Sequence, residues 1–393
     1  MAGSLQLWKK TRIAIERGYV ANGIPVLPVV ADGTYAKRSY KTGSYSSLSG
    51  MAVIVGFYTR EVFFISVRNQ YCSICAYAER NGKEIRVHIC YKNWNGSAGS
   101  METDIISEGF RSSIELYRVI FCTHIADGDC SVYNILFKIR PYPDRTVVKI
   151  ECRNHVLRNY ANKLKEIATN GQLQHINLRK ILAGSILRMR TAIVSSVRHW
   201  KSHTSYSELE QLRNFREDAL NAPRHIFGDH SGCQKYFCTG KEEKIIIPEL
   251  RESGILSLIE DVKNRCILNN ARSLLKDADS NSPEQFNNIV AKFVGGKRIN
   301  YCLRRSYRGR SPAAVVAYNT RRPLYKLHKF MYKFSPGKYT KTLENKRSSL
   351  KHRNKPKKYV RKITTYSSKS SRFPFESDYG PQSQKPDMTL QPS

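Results

Sequence analysis

Apolar residues between positions 24 and 68 gather in three runs of strand length. Residues 24–30 (IPVLPVV), 51–58 (MAVIVGFY) and 62–68 (VFFISVR) are dense in β-branched and aromatic side chains, which fit a pleated, half-buried surface. Asp32-Gly33 reads as a turn that stops the first run, and only Thr59-Arg60-Glu61 separates the last two. Short connections of this kind predict an antiparallel meander. Residues 69–100 break the pattern with Cys, His, Asn, Gly and Ser. Beyond them Ile105, Ile106, Phe110, Ile114 and Leu116 recur at helical spacing and predict a helix from Glu102 to about Tyr117. A strand at 118–125, a helix at 131–139 and a strand at 147–152 complete the order: three strands, helix, strand, helix, strand, helix. That order predicts an α/β domain with a mixed sheet flanked by helices.

From Asn154 to about Leu275 the texture is mainly helical (NHVLRNYANKLKEIA, HINLRKILAGSILRMRTAIVSSVRHW, YSELEQLRNFREDAL), with a polar stretch holding two His and two Cys at 225–238. No internal repeat is visible. From Arg321 onward the chain is rich in Lys, Arg, Ser, Tyr and Pro. Residues 321–393 hold 19 Lys and Arg against four acids, a composition that predicts a disordered, electrostatically adhesive tail.

Composition adds a partner and a compartment. The 393 residues allow two or three folding units. Lys and Arg total 66 against 32 acids, a formal charge of +34, and such an excess implies a polyanionic partner, nucleic acid being the commonest. With 40% hydrophobic and 10% aromatic residues, most of the chain has the means to fold. The first 18 residues (MAGSLQLWKKTRIAIERG) contain no apolar signal region, and no apolar run approaches the ~20 residues of a membrane span. An intracellular protein with no membrane association is expected, and its ten cysteines then read as metal ligands before disulfides.

Two acids stand where an α/β sheet presents functional groups: Asp32 after the first strand and Asp127 after the fourth. Each by itself is an ordinary Asp-Gly turn. As a pair they can hold Mg²⁺ or Mn²⁺ through oxygen ligands, and two such ions can activate a nucleophile and stabilise the leaving oxygen of a phosphodiester. Cys72-x2-Cys75 with His88-x-Cys90 supplies four Zn²⁺ ligands within nineteen residues. His225, His230, Cys233 and Cys238 form a looser second set, and Cys152-x2-His155 follows a strand.

Taken together, Asp32 in VVADGTYAKRSY, Asp127 in IADGDCSVY, Cys152-x2-His155 in IECRNHVLRNY and Glu284 in NSPEQFNNIVAKFVGGKRIN resemble the catalytic domain of Mutator-like transposases of the arthropod type. The resemblance runs from about residue 8 to 320. It implies an RNase H-like fold whose mixed sheet carries an Asp-Asp-Glu triad, with a large helical insertion before the Glu; the Cys/His spacing adds a zinc-binding-like insertion at 69–100. Residue by residue, Asp32, Asp127 and Glu284 take the triad positions, with Asn287 one helical turn beyond Glu284, and Cys152 and His155 match the family's Cys-x2-His motif. Asp129 competes with Asp127 as the second ligand, while Glu102 and Asp104 are weaker candidates. The implied domain division is 1–155 for the first part of the core, 156–280 for the helical insertion, 281–320 for the last core helix and 321–393 for the tail.

The resemblance implies a polynucleotidyl transferase of the DDE class, acting on transposon ends and target DNA with Mg²⁺ or Mn²⁺; Zn²⁺ is expected as well, from the Cys/His spacings. A homo-oligomer is compatible with it. Lys297, Arg298, Arg304 and Arg305, interleaved with Tyr301 and Tyr307, are candidate DNA contacts, and residues 351–362 (KHRNKPKKYVRK) resemble a nuclear-import patch, so the nucleus is the expected compartment. Family members carry a separate N-terminal DNA-binding module ahead of the triad, and here the triad begins at residue 32. That departure brings in a rival expectation of a truncated or domesticated chain that binds DNA without cutting it.

Overall fold

In the computed structural model, the described residues are 19–36, 47–128, 130–238, 244–295 and 306–353. The chain divides into a unit Met1–Glu344 and a unit Asn345–Ser393. In the second, the described residues continue a helix to Arg353. The first unit carries the sheet and the candidate site.

Its centre is β2 (Ile24–Tyr35), preceded by the two-residue β1 (Val20–Ala21) that pairs with its start. β3 (Ser49–Gly56) and β4 (Val62–Asn69) extend the sheet antiparallel on one side. β5 (Ile120–Ala126) and β6 (Val148–Glu151) extend it parallel on the other, giving the order β4-β3-β2-β5-β6. The expected strands are present, with one difference. β2 does not stop before Asp32-Gly33 but runs through both, because β3 supplies an antiparallel ladder there (Asp32 opposite Val53, Gly33 opposite Ala52). A partner strand outweighs the local preference of Asp-Gly for a turn.

Alternation along β3 explains the layers. Ala52 and Ile54 face one side and join Val29, Ala31, Phe64 and Phe121 beneath α2 (Ala98–Arg111), where Ile105, Ile106 and Phe110 are buried; α3 (Ser113–Tyr117) and α4 (Ser131–Ile139) complete that layer. Gly109 of α2 allows the close approach, since a Cβ there would lie 2.5 Å from the Ile54 side chain. Met51, Val53 and Val55 face the other side and meet Phe286 and Val290 of α11 (Asn281–Phe293) and Ala314 of α12 (Ser306–Thr320). The single helix expected from Glu102 to Tyr117 is in fact α2 and α3, parted at Ser112.

Between β6 and α11 lies the helical stretch read from the sequence. It contains α5 (Arg153–Thr169), α6 (Ile176–Ser202), α7 (Glu208–Ile226), α8 (Ile247–Glu252), α9 (Ile255–Lys263), a π-helical turn (Asn264–Leu268) and α10 (Ala271–Lys276) around their own core of Tyr160, Leu164, Met189, Phe215 and Ile259. An earlier helix, α1 (Ser73–Arg80), lies in the Cys/His insertion. The segment expected to be a disordered tail from residue 321 is helical as far as it is described: α13 (Pro323–Tyr332) and α14 (Lys338–Arg353). Pro323 at the first position favours that start, and Leu324, Leu327 and Phe330 fall at helical spacing. Residues 354–393 lie outside the described residues. No described helix is long and apolar enough to cross a membrane.

Phe286 is fully buried two positions after Glu284, so it couples the sheet core to the helix carrying that acid. Phe286→Ala is expected to cost about 3–5 kcal/mol, read as a lower urea midpoint with an unchanged slope.

Candidate functional site

Parallel strands deliver two of the three acids. Val30 of β2 pairs with Ile125 of β5, so Asp32 and Asp127 each sit two residues beyond the same rung. The third, Glu284, stands in the first turn of α11. Its helix is fastened at several points. Cys152, just after β6 and fully buried, accepts the backbone N–H of Ser280 (3.3 Å) and also its hydroxyl (3.3 Å), and Ser280 is the cap residue of α11. Arg153 donates its backbone N–H to Ala278 (2.8 Å) and pairs with Asp277. From the turn between β3 and β4, Arg60 reaches Ser282 and Asp279. His155, one turn along α5 from Cys152, brings Nε2 to 3.7 Å from Glu284. The Cys-x2-His motif thus grips the start of α11 with one residue and faces its acid with the other.

Electrostatics registers the convergence. Burial, then the charges of Asp127 and Glu284, push the Asp32 carboxyl up from its ordinary 3.8 to about 7, against hydrogen bonds from the Gly33 backbone and Asn287. Asn287 donates Nδ2–H to Asp32 at 2.8 Å, and its own Oδ1 is buried without a hydrogen-bond partner. Asp32 thus lies within the electrostatic reach of Asp127 and Glu284, beside an unspent amide oxygen of Asn287; such oxygens are hard donors, the type divalent cations take.

Other candidates fall elsewhere. A Cβ on Gly33 would collide with the Glu102 carboxylate; since adjacent strand residues face opposite ways, Glu102 lies behind the sheet from Asp32. Asp104 and Glu108 are both engaged by Arg68, at 2.6 Å each. Tyr307 is buried against α11, which removes it as a base-stacking residue. Asp129, Tyr301, Lys297, Arg298, Arg304 and Arg305 lie outside the described residues.

The two Cys/His sets each close into a tetrad. The donor atoms of Cys72, Cys75, His88 and Cys90 all lie within 4.8 Å of one another, as do those of His225, His230, Cys233 and Cys238. Zn–S of ~2.3 Å and Zn–N of ~2.0–2.1 Å imply tetrahedral edges of roughly 3.3–3.8 Å. Observed edges include Cys72–His88 at 3.2 Å, Cys75–His88 at 3.4 Å and Cys75–Cys90 at 3.5 Å. In the second set, His225–Cys233 is 3.2 Å and Cys238–His230 is 3.4 Å. His88 directs Nδ1 at the Arg86 carbonyl (2.6 Å), leaving Nε2 for the thiols, an arrangement that fixes a ligating tautomer. Burial alone would raise the Cys72 thiol, but the N–H groups of Cys75, Tyr91 and Ile74 outweigh it and hold the group down at about 6. Both clusters could hold zinc.

The surroundings prepare each tetrad. The first is closed at its base by Asn69 and Asn93: Asn69 N–H donates to Asn93 Oδ1 (2.7 Å) and Asn93 N–H to Asn69 O (2.9 Å). The second is tied to the helices through Tyr236, whose ring stacks on His199 at 3.6 Å and whose hydroxyl reaches the buried Asp218, which also accepts from Ser196 and Trp200.

Residues 2–238 match the family model of the Mutator-like transposases. The chain belongs to the Mutator-like transposase family. The matched span holds Asp32, Asp127, the Cys-x2-His motif and both tetrads, while Glu284 lies beyond it. No curated protein and no solved structure gives a match. Sequence reasoning missed the residues that hold Glu284 in this family member: Arg60, Asp279, Ser280 and Ser282. Ser280 carried a signal, because a Ser-rich stretch before Pro-Glu marks a helix start; Arg60 carried none.

Two outcomes follow from these charges and ligands. The folded Asp32 titrates near 7, above its unfolded value, so its charge costs nothing below about pH 4, costs more through pH 4–7 and costs fully above pH 7. With no Mg²⁺ or Mn²⁺ added, Asp32→Asn is therefore expected to stabilise the fold by on the order of 2–4 kcal/mol at pH 8 and not at pH 4, measured by urea unfolding. Elemental analysis is expected to find about two zinc ions per chain, falling to about one in Cys75→Ser. No zinc in a folded, reduced preparation would reject the tetrads as metal sites.

Proposed function

We propose that the chain is the catalytic domain of a DNA transposase that cleaves phosphodiester bonds and transfers strands on an RNase H-like core. The observation that carries this reading is the shared field of Asp32, Asp127 and Glu284, acids separated by 95 and 157 residues of sequence. The sheet supports it as well: three antiparallel strands followed by two parallel ones in the order β4-β3-β2-β5-β6, with helices on both faces, is the arrangement the RNase H-like reading requires. On that reading the helical stretch before α11 is an insertion in the core.

Asp32, Asp127 and Glu284 would hold the divalent ions, with Asn287 as an adjacent oxygen donor. When bound, such ions activate water for strand cleavage, then a 3′-hydroxyl for attack on target DNA, and stabilise the departing oxygen. The protein's own part is orientation and charge. Asn287 fixes the rotamer of Asp32 through its 2.8 Å bond. Cys152 and Ser280 fix the start of α11, and His155 faces Glu284 from α5. The tetrads serve as structural zinc sites that stiffen an insertion and a loop, not as reaction centres. DNA, as transposon ends and target, is the partner, and the nucleus is where it would be met.

The test is nicking of supercoiled DNA by the full chain with Mn²⁺. Wild type is expected to nick, while Asp32→Asn, Asp127→Asn and Glu284→Gln abolish nicking and leave DNA affinity unchanged. Wild-type protein that binds DNA and never nicks would overturn the catalytic reading in favour of a non-catalytic DNA-binding member of the family.

A further inference from the structure

One group of exposed large apolar side chains is dominated by aromatic rings and lies near the C-terminal helices. Phe330 is 74% exposed, Phe334 63% and Tyr339 92%, with Met331 and Tyr332 exposed between them. Helix α13 buries none of its residues. The rings are nonetheless organised. His328 lies 4.8 Å from the Tyr332 ring and 5.1 Å from that of Phe334, and the Lys333 ammonium sits 4.9 Å over Phe330.

Charge narrows what such a surface can meet. Residues 321–347 hold nine Lys and Arg and one acid, Glu344. That acid is buried and fully engaged, accepting the backbone N–H groups of Leu324 (2.7 Å) and Tyr325 (3.2 Å). Glu344 thereby caps the first turn of α13 from α14, where a negative charge is favoured, and fastens the two helices together. Outside this cap the charged groups are all cations, set among exposed ring faces and a few aliphatic side chains such as Met331. An apolar protein partner would cover the rings and strand the lysines beside them. A duplex would satisfy the lysines, but its stacked bases offer nothing to the rings. Unpaired nucleotides satisfy both, with phosphates on the cations and bases stacked on the aromatics.

We propose that the α13–α14 hairpin is a binding platform for single-stranded DNA, with Phe330, Phe334 and Tyr332 stacking on bases and Lys326, Lys329 and Lys333 neutralising the backbone. The proposal rests on the reading of a DNA-acting protein and deepens it by naming the form of DNA that the chain holds. Because Phe330 and Tyr332 are displayed on a helix and Phe334 follows just after it, little further chain entropy is lost when bases stack on them.

The experiment measures binding of the full zinc-loaded chain, with no Mg²⁺ or Mn²⁺ added, to fluorescent oligo(dT) and to a blunt duplex of equal length. Phe330→Ala/Phe334→Ala is expected to weaken oligo(dT) binding by about tenfold or more, with duplex affinity and thermal midpoint unchanged. Lys329→Gln/Lys333→Gln is expected to flatten the slope of log K against log salt on oligo(dT) by about 0.7 for each phosphate no longer neutralised. Equal losses of the ring variant on single strand and duplex, or no loss on either, would overturn the proposal. So would a change of oligomeric state in the ring variant, which would assign the rings to a second copy of the chain. Leaving out Mg²⁺ and Mn²⁺ keeps this readout independent of cleavage, so selective binding by a protein that never nicks when Mn²⁺ is added would sink the catalytic reading alone.

Discussion

The desolvated Asp32 carboxyl stands in the field of two exposed acids, Asp127 and Glu284, and much of the architecture holds that convergence in place. Asp32 and Asp127 cannot relax apart, because parallel pairing of β2 with β5 fixes their separation through the backbone. Glu284 has more freedom, being borne on a helix that arrives after a long excursion. The number of fastenings on that helix follows from this asymmetry. Phe286 is sunk in the sheet core, Ser280 is gripped by a buried sulfur, and Arg60 adds an ionic link. No one of these bonds is strong, but their convergence on one helical turn sets the acid within a narrow range of positions.

The two faces of the sheet divide the labour. The face beneath α2 makes the larger apolar core, while the face toward α11 holds a smaller apolar patch beside the acids. Stability is therefore concentrated on the side away from the charged site. This separation lets the domain tolerate an electrostatic strain that would unfold a thinner one.

Much of this was legible in the sequence. Runs of Val, Ile and Phe marked the strands, and helix 131–139 was bounded to the residue, because Ser131 and Ile139 delimit a plain amphipathic stretch. Asp32, Asp127 and the tetrads were readable from residue type and spacing, whereas Glu284 came only with the family resemblance. What the sequence concealed depended on tertiary partners. Asp32-Gly33 looks like a turn until β3 pairs with it, and Tyr307 looks like an exposed stacking residue until α11 covers it. Basic composition likewise hid the α13–α14 hairpin, since its one structural acid, Glu344, acts across 20 residues on the first turn of another helix. Cys152 announced itself as a family motif without revealing that its sulfur would cap a helix carrying the third acid.

The long helical excursion between β6 and α11 also has a consequence for the order in which the site is born. During synthesis Asp32 and Asp127 leave the ribosome well before Glu284, which trails Asp127 by 157 residues, or about 8–30 s at ~5–20 residues per second. Through that interval the nascent chain carries a two-acid sheet with no α11 to close it. Only when the helical body has folded and returned the chain to Cys152 does the third acid reach its place. An interrupted or clipped chain therefore stops short of an assembled site, and the length of the excursion acts as a timer that withholds the complete acid cluster from unfinished molecules.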